Sequence, residues 1–567
     1  MTSNASSSDL ETLKWITARF KSILTPTVFA SLGEVVSSAN GVAFAFCSRN
    51  VIDSAVSGDR VALIYASIQT GALLLWTLVV DMGIDALVER IRAGAQVALQ
   101  NRTYKVLLQK DFEASNARSS GDVMNRLTSD VAVVCNGVST IIPSFVSLTT
   151  RLIFAFAALC YFDARFASVF LVVGVGVFLG TRLFRKRLKK LHKAVQEAEG
   201  TKRAFWQETL DNLFVVKTFA RESLACEHSQ KLQDEHYRAT MKRRNFGLFA
   251  GGGIRSAFSS GYLFALVWSA FKLCAGTISF GTTTATLQLV GKVQSPFSGL
   301  SGLLPRYFNA LASAERLREL EDDPDERGAN EPTFSGKELF DDADAIVFED
   351  VSFVYRRKEG ESVRVLDRAS FTLPIRKNVV FRGRSGIGKS TLFKLLIGLL
   401  QPTTGEIYLQ TRSGKIPLDR RTRELFASVP QGNLLFSGTI RENVAFFRDD
   451  MSEERIRTAL RVAGADFVDD LPDGLDALLG EKGVGLSEGQ AQRIAIARAV
   501  ASDAPIMLLD EATSALDVGS ERNVLTRLVN ESGKTLYFVS HRPAVFEFAE
   551  TFVDPTEDGR FICRTMR

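Results

Sequence analysis

No charged residue interrupts the chain between Arg60 and Asp81, between Asp130 and Arg151, or between Lys272 and Lys292. The most apolar run is FASVFLVVGVGVFLGT at 166–181. A hydrocarbon core takes roughly 20 residues of helix to cross. The pattern predicts four spans near 61–80, 140–161, 166–185 and 256–275. Two more, near 27–47 and 281–303, are diluted by Gly, Ser, Thr and Gln and by one charge each, Glu34 and Lys292. Buried helices of a soluble domain are the other reading of such runs, and their length argues against it. The segments 48–59, 163–165 and 276–280 are short and poor in Lys and Arg, whereas 84–130 and 186–250 are long and rich in both. RKRLKKLHK at 185–193 is the densest basic patch. This asymmetry places the long segments and the N-terminus on the cytoplasmic side. Both long segments are helix-periodic and almost free of Pro. Helices of about 45 residues are roughly twice the hydrocarbon thickness, so they should project into the cytoplasm.

The pattern changes near Glu321. EDDPDERGANEPTFSG at 321–336 is acidic, carries Pro and Gly, and reads as a linker. Strand-like runs follow, AIVFEDVSFVY at 345–355 and NVVFRG at 378–383, and then alternate with helical ones. The expected organisation is a tail with an interfacial elbow helix over 1–25, a six-helix membrane domain over 26–320, an acidic linker over 321–342 and an α/β domain over 343–567. The fold class is thus a membrane α-helical domain joined to an α/β P-loop NTPase domain.

Composition agrees with a mixed chain. Its 567 residues exceed one domain, and 46% hydrophobic with 23% charged residues excludes a disordered chain. The mean hydropathy of +0.06 lies between soluble and wholly membrane-embedded proteins. A net charge of +5 over this length gives no reason to expect nucleic acid. The six Cys form no CxxC pair, so neither a disulfide framework nor a zinc site is expected. Met1–Leu10 is polar and carries Asp9, unlike a signal or transit peptide.

Candidate chemistry begins at Gly383-Arg384-Ser385-Gly386-Ile387-Gly388-Lys389-Ser390-Thr391, which fits G-x-x-x-x-G-K-[ST]. The glycines let backbone N–H groups face phosphates, Lys389 reaches the β/γ-phosphates, and the Ser390 hydroxyl suits Mg²⁺. The loop follows the strand NVVF and opens a helical run, the context this motif requires. A plain Gly-rich strand-to-helix turn is the competing reading. A buried strand ending in acid follows, Ile506–Glu511. Asp510 would hold Mg²⁺, and Glu511 would polarise the attacking water.

Leu486-Ser487-Glu488-Gly489-Gln490 resembles the ABC signature LSGGQ and ends 21 residues before Glu511. VPQGNLLFSGTIREN at 429–443 looks like a Q-loop segment carrying Gln431. GEKGVG at 480–485 stands where exporters have their X-loop. Ser514-Ala515-Leu516-Asp517 matches the D-loop, Ser540-His541-Arg542 the switch-histidine loop, and Tyr355 the adenine-stacking aromatic. The set over about 343–545 is similar to an ABC ATPase domain. In the membrane half, SSGDVMNRLTSDV (119–131) resembles the segment that follows the first coupling helix of ABC exporters, ETLDNLFVVKTFARE (208–222) the second, and ALASAERLREL (310–320) the end of the sixth helix.

The resemblance implies a half-transporter with domain-swapped helices that works as a dimer. A homodimer is favoured, with two different halves as the alternative. It implies ATP and Mg²⁺ as cofactors. ATP would be sandwiched between Tyr355, the phosphate loop, Gln431, Asp510, Glu511 and His541 of one ATPase domain and Ser487, Gly489 and Gln490 of the other. Gln431 would join Ser390 and Asp510 at the metal. Lys389, Glu511 and His541 would carry catalysis; a surface or capping His is the competing reading of His541. Glu488 replaces the first Gly of the signature. Its carboxylate would repel phosphate slightly unless it points away. Only residues 542–567 follow His541, room for a strand such as 559–565 but not for terminal helices. A leader peptidase domain at the N-terminus is not expected.

Charges inside a membrane are expensive and default to function. Gln69, Arg151, Gln288 and Lys292 fall within the predicted spans and would line a polar cavity with a positive bias. Mutual neutralisation, for example of Glu34 with Arg151 or Lys292, is the alternative. Arg255 lies nearer the inner interface, where snorkelling explains it. The expected function is ATP-driven export of an amphipathic drug, lipid or peptide by alternating access, in a bacterial cytoplasmic membrane with the N-terminus and ATPase domain inside. An importer with this fold and a non-transporting ABC ATPase are the rivals.

Overall fold

The computed structural model describes residues 2–356, 362–384, 387–432, 435–480, 483–556 and 561–565, with backbone only for 2–9, 173–183, 185, 186, 254, 297, 298, 300 and 301. The chain forms two compact units. One is Met1–Tyr104 with Gly121–Leu320, the other Lys105–Ser120 with Glu321–Arg567.

The first part of the chain is helical throughout. It runs through α1 (Thr2–Arg19), α2 (Lys21–Ser57), α3 (Arg60–Leu107), α4 (Phe112–Asn116) and α5 (Ser120–Asn125). A π-helical turn, Arg126–Asp130, leads into α6 (Val131–Phe162). Then come α7 (Ala164–Asp211), α8 (Leu213–Thr218), α9 (Glu222–Cys274) and α10 (Phe280–Glu321). Each predicted span falls on its own long helix. α2, α3, the continuous helix through Ser120–Phe162, and α9 are long and apolar enough to cross a membrane. α3 and α7 have 48 residues each and α9 has 53, about 70–80 Å at 1.5 Å per residue.

Small residues let these helices close on one another. α2 packs along α6, and α7 along α9. One buried cluster joins Ala45, Ala155, Ala158, Leu159, Phe166, Ala265, Ala285 and Leu289 from five helices. A second joins Phe20, Leu99, Val131, Val134, Ala314 and Leu317. The outward faces stay apolar: Ile64, Ile68, Leu75, Trp76 and Val79 of α3 are all exposed. Water would not tolerate such a continuous patch; hydrocarbon does.

The second unit is α/β. It contains α11 (Gly336–Asp342), β1 (Ala343–Arg356), β2 (Ser362–Pro374), β3 (Val379–Phe381), α12 (Lys389–Leu396), β4 (Thr404–Thr411), β5 (Gly414–Pro417) and β6 (Phe426–Val429). Next are β7 (Gly438–Thr439), α13 (Ile440–Ala445), α14 (Glu453–Val462), β8 (Leu478–Leu479), α15 (Glu488–Ala501) and β9 (Ile506–Asp510). The last are α16 (Val518–Glu531), β10 (Thr535–Val539), α17 (Pro543–Phe546), β11 (Thr551–Pro555) and β12 (Phe561–Thr565). An antiparallel sheet has the order β2-β1-β4-β5, and a six-stranded sheet the order β12-β11-β3-β10-β9-β6. In the latter, β11, β3, β10, β9 and β6 are parallel. Every residue of β3, β9 and β10 is buried, as parallel strands covered on both faces require.

The stretch 321–342, expected as a linker, is folded onto this unit. Glu326 is buried and paired with Arg423; Glu331 pairs with Arg421 at 2.5 Å. Leu339 enters the core beneath β1. Glu326 and Glu331 complement the basic run at 420–423, while Asp323 and Asp325 pair with Arg118 and Lys110.

Candidate functional site

Four loops leave the same edge of the parallel sheet. They follow β3, β10, β9 and β6, which lie side by side in that order. This is where open α/β sheets bind ligands, at the carboxyl ends of their strands. The order of strands, not of sequence, brings together Lys389, His541, Asp510 with Glu511, and Gln431.

The loop after β3 turns sharply. Gly388 has φ 100°, and a Cβ there would meet Val365 Cγ1 at 2.4 Å. Only glycine fits, and the turn delivers Lys389 as the first residue of α12. Its Nζ donates to the carbonyls of Gly383 at 2.5 Å and Arg384 at 3.0 Å, and lies 3.0 Å from His541 Nε2. Burial pushes the ammonium pKa down, while the charges of Glu511 and Asp510 pull it back up. Thr391 Oγ1 is 3.4 Å from Tyr355 Oη at the end of β1. Arg384 is exposed, and Ile387 and Ser390 are half-buried around the loop. Ser385 and Gly386 lie outside the described residues, as do Glu481 and Lys482 of the 480–485 segment.

The acidic pair closes β9. Asp510 is buried, and burial holds its carboxyl above the ordinary carboxylate range against the opposing hydrogen bond from Ser390. Glu511 adopts φ 49°. Gln431 Nε2 donates to its Oε2 at 2.9 Å, and His541 Nε2 lies 3.7 Å from its Oε1. A carboxylate is therefore held between an amide and an imidazole, beside a lysine. Among the described residues no cluster of three His, Cys, Asp or Glu side chains suits a metal. Ser390, Asp510 and Gln431 offer three oxygens, or four with both of the carboxylate. That fits a hard cation that takes its remaining ligands from phosphate and water.

The signature stands apart. Ser487 caps α15 in a reciprocal pair with Gln490, its Oγ accepting from Gln490 N at 3.2 Å and its own N–H donating to Gln490 Oε1 at 2.8 Å. A Cβ on Gly489 would meet Ala515 O at 3.0 Å. Glu488 is exposed in the first turn, where the positive helix end favours an acid. Among the described residues, no hydrogen bond or ion pair joins Ser487, Gly489 or Gln490 to the phosphate loop. Sequence reading assigned no role to two braces. Gln492 donates to Ser514 Oγ at 2.9 Å and accepts from Ala515 N at 3.1 Å. Arg542 donates to Leu516 O at 2.9 Å and pairs with buried Glu521 at 3.0 Å. Only the neighbourhood of the recognised motifs hinted at them.

In the membrane unit, Gln288 Nε2 donates to Ser48 Oγ at 3.3 Å, tying α10 to α2. A Cβ on Gly41 of α2 would stand 3.3 Å from Lys292 Nζ. Arg151 is half-buried on α6, and Gln69 is exposed on α3. Arg151 and Lys292 are within electrostatic range of each other, with Asp81 as the opposing charge. Among the described residues, Glu34 forms no ion pair with either cation, so the neutralisation reading does not hold for that acid.

Known families match both units. The ABC transporter transmembrane region model matches residues 27–297, and the ABC transporter model matches 366–514. The chain is 30% identical over 451 residues to an ATP-dependent lipid A-core flippase of Desulfotalea psychrophila, covering 76% of this chain and 75% of that protein. The chain belongs to the ABC transporter family. An ABC multidrug transporter of Aspergillus fumigatus is 28% identical over 468 residues, and this chain spans only 58% of its length. A solved bacterial Atm1-family ABC exporter with ATP bound shares the fold at TM-score 0.79 and 21% identity, over 96% of this chain and 94% of that one. This ABC transporter is an integral membrane protein whose nucleotide-binding domain couples ATP hydrolysis to export.

Proposed function

We propose that two copies of this chain form an alternating-access exporter for an amphipathic, anionic substrate, with the described site binding Mg²⁺–ATP. The observation that carries the dimer is the split site. Lys389, Gln431, Asp510, Glu511 and His541 converge on one sheet edge, while the capped and exposed Ser487 has no nucleotide to serve in its own copy. A second copy facing the first supplies it. Two apolar surfaces support the same arrangement. Phe214 and Phe219 on and beside α8 are 82% and 70% exposed, and Phe447 near α13 is 84% exposed beside Phe436 and Phe446. The α8 tip of one copy docks on the aromatic patch of the other.

The converging residues then divide the work. Lys389 and the N-terminus of α12 neutralise the phosphates. Tyr355 stacks the adenine. Glu511 accepts a proton from the attacking water, oriented by Gln431. His541 donates to the γ-phosphate. Phosphoryl transfer asks mainly for positioning and charge. Ser390, Asp510 and Gln431 would hold the metal, which would supply positive charge to offset that of the phosphates.

Arg151 and Lys292 give the cavity its positive bias, and six helices enclose it, with the ATPase domain on the cytoplasmic face of a bacterial inner membrane. The test is ATPase stimulation of the chain purified alone in lipid nanodiscs. A dimeric mass, hydrolysis stimulated by an anionic fluorescent phospholipid, and loss of that stimulation in Arg151→Met/Lys292→Met are expected. A hydrolysing monomer, or stimulation by a cationic dye alone, would overturn the reading.

A further inference from the structure

The tip between α3 and α5 belongs to the ATPase unit, and one lysine fastens it there. Lys110 is buried, its side chain only 6% exposed. Its Nζ donates to Glu321 O at 2.5 Å, Asp323 O at 2.7 Å and Asp325 Oδ1 at 2.7 Å. An ammonium has three N–H donors, and all three are used. The backbone continues the contact. Lys110 and Asp325 form an isolated antiparallel bridge, with Asp111 N–H donating to Pro324 O at 2.9 Å and Glu326 N–H to Gln109 O at 2.9 Å. Arg118 pairs with Asp323. Phe112 packs on the hydrophobic core beneath β1.

We infer that Lys110 is a positioning residue that locks the tip to the segment leaving α10, so that movement of the ATPase unit drives α3 and α10 together. This rests on the exporter reading. The argument is topological. Glu321 ends α10, and Leu107 ends α3. The lysine joins chain segments more than 200 residues apart, using carbonyls that only a folded 321–325 turn can present. A flexible linker would let the ATPase unit move without either helix. Three charge-assisted bonds from one buried ammonium oppose that slack.

The experiment places a spin label at Ser57→Cys, beyond the membrane end of α2, and reads the distance between the two copies with and without ATP–vanadate trapping. The unmodified lysine should give a clear distance change. Lys110→Met should keep basal ATP hydrolysis within about twofold yet abolish that change, and Lys110→Arg should restore part of it. Antiparallel partners have Cα atoms about 4.5–5.5 Å apart, within disulfide range. An unlabelled Lys110→Cys/Asp325→Cys pair, assayed by transport of the fluorescent phospholipid, should therefore be slack when reduced and coupled when oxidised. That comparison, made within one preparation beside oxidised native chain, decides the matter should Lys110→Met fail to fold. A normal distance change in Lys110→Met, or a Cys pair equally active in both redox states, overturns the inference. Failure of the exporter reading would look different: the chain with Lys110 intact would show neither distance change nor transport.

Discussion

Glu511 pays for its place at the end of β9 with a left-handed backbone, φ 49°, which costs a side-chain-bearing residue about 1–3 kcal/mol. Its neighbours Gln431 and His541 hold the carboxylate in return. Removing the negative charge while keeping the shape should separate binding from chemistry. Glu511→Gln is expected to retain ATP binding and lose hydrolysis by about 10²-fold or more, read by nucleotide affinity beside phosphate release. Asp510 makes a different prediction. Burial raises its pKa, so its ionised form costs stability above that raised value. The cost is absent below the ordinary carboxylate pKa and grows through the window between the two. Asp510→Asn should therefore raise the Tm of the nucleotide-free protein at neutral pH by about 2 °C or more, the gain vanishing as pH falls through that window, while hydrolysis is lost. An unchanged Tm at both pH values would contradict it.

At the scale of elements, the phosphate loop was legible because its constraint is local. A strand, a glycine turn and a helix occur within one short stretch, and Gly388 satisfies both φ 100° and the approach of Val365. Gly388→Ala should destabilise the loop by about 2 kcal/mol and weaken ATP binding, checked by calorimetric titration. The folded 321–342 stretch was not legible. Its acids find partners at 420–423 and at Lys110, and nothing local distinguishes them from solvated charges. The joint between α6 and α10 is similar. Asp130, almost wholly buried, accepts from Arg316 Nε at 2.8 Å and Ser313 Oγ at 2.9 Å. Arg316→Met should cost about 3 kcal/mol by stranding that charge, and Asp130→Asn in the same chain should recover most of it. Thermal unfolding in detergent measures both.

At the scale of the molecule, charge-free runs gave the spans and the spacing of motifs gave the ATPase domain, because both repeat a physical requirement along the chain. The tip did not show, since 84–130 reads as one helix-periodic segment of the membrane domain, whereas 105–120 folds with the ATPase unit. The polar positions of the membrane unit were legible as oddities; among the described residues neither Arg151 nor Lys292 forms an ion pair, and Asp81 is the opposing charge near Lys292. The central claim is that ATP hydrolysis by this chain alone drives substrate away from the face that binds ATP. The direct measurement is uptake of an anionic fluorescent phospholipid into sealed proteoliposomes with ATP added outside, comparing the unmodified chain with Glu511→Gln. ATP-dependent accumulation on the inner side, absent from Glu511→Gln, is the expected result. Hydrolysis without accumulation, or loss of preloaded lipid from the inside, would contradict it.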